Sequence, residues 1–186
     1  MDINKFLDIL HTAERLKDTT RHCTTSGGRL ESVAEHSWRI TLMAFFLRDE
    51  FPEADMDKVI RMCLIHDLGE CFTGDIPTFL KNADHEAREE QLLAHWVASM
   101  PQPYGDEMTA LYAEMASLET AESKIYKALD NLEAVLQHNE SPLDTWSENE
   151  YTLNLTYGND KVAFSPYLTA LRTQLRKDSE EKIRLG

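Results

Sequence analysis

The sequence predicts an all-α fold. Three observations carry that prediction. Glycine and proline are scarce, at seven and six of 186 residues. Apolar residues make up 42% of the chain, the composition of a chain that can bury a core. Apolar positions recur at three- and four-residue spacing in several segments, with helix-forming residues between them. At this length a single domain over residues 1–186 is expected, a compact multi-helix unit.

The first helix is expected over residues 2–17, with Ile3, Phe6, Leu7, Leu10 and Ala13 on one face. Residues 18–28, rich in Thr, Ser and Gly, are expected as a loop. Ser32-Val33-Ala34-Glu35 has the capping-box pattern, so a second helix should start there and carry Ile40, Met43, Ala44 and Leu47. Pro52 closes that region. A third helix is expected over residues 57–67, burying Val59, Ile60, Cys63 and Leu64, with Gly69 as its stop. Residues 70–83 contain Thr73-Gly74-Asp75 and Pro77 and suggest a loop. Further helices are expected over 84–100 and as a pair within 104–138, broken near 117–120. Residues 141–160 are polar and ambiguous. A last helix is expected over 166–182. No strand pattern is strong.

The formal net charge is −14. Such a surface repels polyanions, which disfavours nucleic acid and anionic membrane as partners. A small phosphorylated ligand remains compatible, because a bound metal supplies the local cation it needs. The N-terminus lacks the basic flank of a signal peptide, and no apolar stretch is long enough to cross a bilayer. Cys23, Cys63 and Cys71 are widely spaced and form no CxxC pair. A reducing, cytoplasmic setting is therefore expected.

His36, His66, Asp67 and Asp130 come from three expected helices. Their imidazole and carboxylate donors suit Mn, Fe, Co, Ni or Zn, with Mg also in range. Spacing alone leaves alternatives open. His36 could be a helix-start histidine. Asp130 could pair with Lys127 three residues earlier. Asp67 near a helix C-terminus is an unfavourable place for negative charge, and a cation would relieve it. His11, His85, His95 and His138 are assigned to packing or surface. Trp38, Trp96 and Trp146 are assigned to the core or an interface.

Together, Glu35-His36, His66-Asp67-Leu68-Gly69-Glu70, Thr73-Gly74-Asp75 and Leu129-Asp130 resemble the HD-domain metal-dependent phosphohydrolases. Within them, the series is similar to the bacterial 5′-deoxynucleotidase branch over roughly residues 20–140. The resemblance implies an all-α HD fold and one divalent metal held by His36, His66, Asp67 and Asp130. It implies a homodimer that hydrolyses nucleoside 5′-monophosphates. Another phosphate ester or phosphodiester is the alternative substrate, and a catalytically silent metal-stabilised nucleotide-binding protein the alternative function. Glu70 and Asp75 are implied as catalytic groups near the metal-bound water and the phosphate. Arg21, His22, Asp67 and Thr73 are implied on the substrate side, Arg21 as a planar fork for phosphate oxygens. Arg29 is the competing cation. The relatives carry tryptophan where this chain has His22, which puts selectivity for deoxyribose in question.

Overall fold

A computed structural model describes residues 1–186 except Thr78 and Phe79. Helix α1 (Ile3–Ala13) starts at Asp2, whose carboxylate accepts from the Asn4 and Lys5 amides, and passes into a 3-10 turn, Glu14–Lys17. Ile3, Phe6, Leu7 and Leu10 do share a face, but it stands open, with Ile3 75% exposed.

Where a loop is expected over 18–28, the chain forms strand β1 (Thr20–Thr24), which pairs antiparallel with β2 (Leu30–Ser32). The cause is tertiary. Thr-Arg-His-Cys-Thr has no alternating apolar pattern. The ribbon is held instead from below, where Gln137 Nε2 and Ser141 Oγ both donate to the Thr24 carbonyl. Gly28, at φ 83°, makes the turn.

Helix α2 (Val33–Phe46) begins on the expected capping box, with both reciprocal bonds between Ser32 and Glu35 present. Helix α3 (Met56–Ile65) is shorter than expected and ends before His66. Gly69 is not its stop: Gly69 has a helical φ of −60°. A side chain at Gly69 would meet Glu89 Cγ at 2.9 Å, so close packing accounts for the glycine. The expected loop after residue 69 opens with another helical turn, α4 (Glu70–Thr73), and Gly74 at φ 77° ends it.

Helices α5 (Ala83–Ala98), α6 (Tyr104–Ser117) and α7 (Ala121–Glu140) follow, with the expected break at Leu118. The ambiguous stretch yields α8 (Glu150–Thr156) and α9 (Asn159–Val162), and α10 (Pro166–Leu185) ends the chain. Helix α7 is the axis. It packs against α2, α3, α6, α9 and α10. Ala128, Leu129, Leu132 and Val135 are fully buried there, against Ile40, Val59, Met62 and Leu168. Each of the larger of these side chains, Ala128 apart, contributes about 1.5–3 kcal/mol through burial. Buried Arg172 ties α10 to α8 by donating to the Asn154 and Tyr157 carbonyls. Among the described residues no helix is long and apolar enough to cross a membrane.

Candidate functional site

Three segments deliver the four expected metal donors. His36 lies on the first turns of α2, His66 and Asp67 follow the end of α3, and Asp130 lies midway along α7. His66, the C-cap of α3, keeps helical φ and ψ, and Asp67 lies in the turn that follows. His36 Nε2 lies 3.3 Å from His66 Nε2, 3.2 Å from Asp130 Oδ1 and 3.8 Å from Asp67 Oδ2. His66 Nε2 lies 2.9 Å from Asp67 Oδ2 and 3.9 Å from Asp130 Oδ1. Donors held about 2.1 Å from one ion sit about 3 Å apart when adjacent and about 4 Å apart when opposite. His36, His66 and Asp67 fit one divalent ion, their donor atoms all lying within 4.8 Å of one another, and Asp130 Oδ1 stands beside both histidines.

The outward nitrogens are committed elsewhere. His36 Nδ1 faces Glu133 Oε2, and both residues are fully buried. His66 Nδ1 donates to the Cys63 carbonyl at 2.9 Å. Such outer partners fix the ring and aim the other nitrogen inward. Burial opposes ionisation of Asp67, but His66 and His36 outweigh it and hold its carboxyl at about 2. Burial is likewise outweighed at Asp130, chiefly by Lys127, so its carboxyl lies well below the usual range. Lys127 Nζ donates to Asp130 Oδ2 at 2.8 Å while Oδ1 faces His36, so the surface pair and the donor role coexist.

A cavity opens beside these donors, lined by Arg21, Asp67, Glu70, Asp75, Lys81 and Asp130 among others. Glu70 is 7% exposed, and its Oε2 has no hydrogen-bond partner among the described residues. Burial, then the charges of Asp67 and Asp75, push its carboxyl up to about 10. Burial also raises Asp75, against the pull of Arg21. Arg21 Nε lies 3.1 Å from Glu31 Oε2, which holds the guanidinium at the cavity wall. Arg29 is not there: it pairs with Glu35 at the surface. His22 lines the cavity, whereas Thr73 does not; its hydroxyl donates to the Gly74 carbonyl at 3.3 Å.

Several lining or supporting residues escaped the sequence argument. Lys127, Ala134 and His138 join the expected Asp130 in lining the cavity from one stripe of α7 at helical spacing, so the pattern was present once Asp130 was placed. Glu133, three residues after Asp130, is the buttress of His36. Glu31 and Glu150 carried no comparable signal. Among the tryptophans, Trp146 is buried, Trp96 packs on Phe72, and Trp38 is 63% exposed.

The profile of the HD domain matches residues 13–172. The chain belongs to the HD domain family. Among similar HD proteins, the 5'-deoxynucleotidase HDDC2 of Homo sapiens is 32% identical over 114 residues, 60% of this chain and 55% of that protein. The chain thus spans little more than half the length of the mammalian relatives it matches. The 5'-deoxynucleotidase HDDC2 of Dictyostelium discoideum is 28% identical over 158 residues, 80% of this chain and 83% of that protein. Among solved HD structures, a "predicted metal-dependent phosphohydrolase" from Magnetospirillum magnetotacticum superposes with a TM-score of 0.80 at 27% identity, over 97% of this chain and 93% of that one. The cyanophage S-2L HD phosphohydrolase DatZ, solved with dA and one catalytic Zn2+, shares the fold, with a TM-score of 0.60 at 22% identity over 95% of this chain and 96% of that one.

Proposed function

We propose that this HD protein is a metal-dependent phosphohydrolase that cleaves nucleoside 5′-monophosphates to nucleoside and phosphate. The observation that carries the proposal is the convergence of His36, His66, Asp67 and Asp130 beside Glu70, Asp75 and Arg21. The 5'-deoxynucleotidase names of its relatives support the substrate class. When bound, a divalent ion supplies positive charge for the phosphate and lowers the pKa of adjacent water.

The chain's own residues do the rest. Arg21, held through its Nε by Glu31, presents a fork to phosphate oxygens. Glu70, which a divalent charge beside it would ionise, orients the attacking water and takes its proton as the new oxygen–phosphorus bond forms. Its affinity for a proton follows from its burial. The phosphorus–O5′ bond breaks, and Asp75, raised by burial, supplies the proton that the leaving 5′-oxygen requires. His22 faces the same cavity on the substrate side. The assay is phosphate release from a panel of ribo- and deoxyribonucleoside 5′-monophosphates with Mn2+, Co2+, Zn2+ or Mg2+. No release from any of them by metal-loaded protein refutes the proposal.

Two further assignments belong to this proposal. The open face of α1, continuous with a groove that Trp38 and Leu64 also line, fits a homodimer interface. A largely monomeric mass in solution would refute that assignment. Three free, buried cysteines fit a reducing cytoplasmic setting, which localisation of the tagged protein would test.

A further inference from the structure

The cavity holds a second histidine–carboxylate cluster, of which the proposed reaction uses only His22, on the substrate side. His138 Nε2 lies 2.8 Å from Glu150 Oε1, and His22 Nε2 lies 2.9 Å from the same oxygen. The three donor atoms all lie within 4.8 Å of one another, as do those of His36, His66 and Asp67. All three residues line the cavity.

The likeness to the first cluster extends to its support. His138 Nδ1 faces the Ala134 carbonyl at 2.8 Å, one turn back on its helix. His66 Nδ1 does the same with Cys63. In each case the backbone acceptor fixes Nδ1 as the donor and turns the Nε2 lone pair toward a carboxylate oxygen. Two lone pairs cannot face each other at 2.8 Å unaided. A proton or a cation must lie between His138 and Glu150. Glu150 is itself held in place, its Oε2 accepting from the Ser147 amide.

A phosphorylated ligand entering the cavity brings negative charge, which a cation held between His138 and Glu150 offsets.

We propose that His22, His138 and Glu150 form a second divalent-metal site in the same cavity. Two imidazole nitrogens and one carboxylate oxygen suit Zn2+, Co2+ or Mn2+, with the remaining coordination positions open to the cavity.

The test is a metal count that needs no turnover, so a failure of the phosphohydrolase proposal leaves it standing. Apo-protein is dialysed against Zn2+ or Co2+, and bound metal per folded chain is measured. Wild type binds two ions. His138→Gln binds one, and so does His66→Gln, which keeps the second site. Glu150→Gln and His22→Asn repeat the measurement with milder changes, so a folding failure of one variant does not decide the matter. Wild type binding one ion, or these variants all binding as many ions as wild type, overturns the proposal. The cluster is then a network closed by protons alone.

Discussion

The two histidine–carboxylate clusters share donor types and a cavity, yet differ in what stands behind them. At the first, the His36 and His66 side chains are 0% and 3% exposed. Asp67 and Asp130 hold their charge under burial because imidazoles and Lys127 surround them. At the second, the His22 side chain is 31% exposed and stands on a two-stranded ribbon rather than a helix. His138 and Glu150 are themselves buried, at 6% and 3% exposed, so the difference rests on one donor, His22, which stands at the edge of the core.

The largest effect should come from the core cluster. Asp67→Asn is expected to reduce metal affinity and turnover by more than about 100-fold, the top of the range known for outer-shell partners. Metal titration of the apo-protein and a phosphate-release assay check this. Glu133→Gln, which weakens the support of His36, is expected to lower affinity at the first cluster by about 10–100-fold. It should leave the second unchanged, and equal effects on both clusters would dissolve the contrast. A milder test lies between them. Ala134→Leu places bulk on the cavity wall midway along the α7 stripe and is expected to raise KM several-fold with little change in kcat.

Glu70 gives a pH test with a defined sign. Its carboxyl titrates at about 10 in the metal-free fold, above its ordinary value of 4.5. The folded state therefore binds this proton more tightly than the unfolded chain does. The resulting stability is fully present below pH 4.5 and is lost as pH rises through the folded value. Glu70→Gln removes that dependence. Between those values the folded chain holds a proton that the unfolded chain releases, so relative to Gln the wild type's stability should fall steadily from pH 5 to pH 9. Melting temperatures of both apo-proteins across that range, at about 2–4 °C per kcal/mol, measure it. Parallel curves refute it. The smallest effect on either cluster is expected from Leu10→Glu on the open face of α1. It should leave metal binding intact while splitting the proposed homodimer, as light scattering would show.

Much of this was legible in the sequence. The capping box at Ser32 set the start of α2 and so the height of His36. The apolar stripes located α3 and α7. What escaped depended on contacts between distant segments. The ribbon of β1 and β2 is held by Gln137 and Ser141, over a hundred residues away. Gly69 looked like a stop because glycine often ends helices, but here it clears space for Glu89. His138 looked like packing because its partner, Glu150, lies twelve residues on across a polar stretch with no periodicity.

The stripe on α7 has one last consequence. Asp130 and His138 belong to the two different clusters but to one unbroken helix. Eight residues at 1.5 Å each set them about 12 Å apart along its axis. That interval is a ruler built into the backbone. No loop movement can lengthen it, and inserting a single residue between them would swing one mark about 100° from the other. Any molecule that touches both clusters is therefore measured against a fixed length.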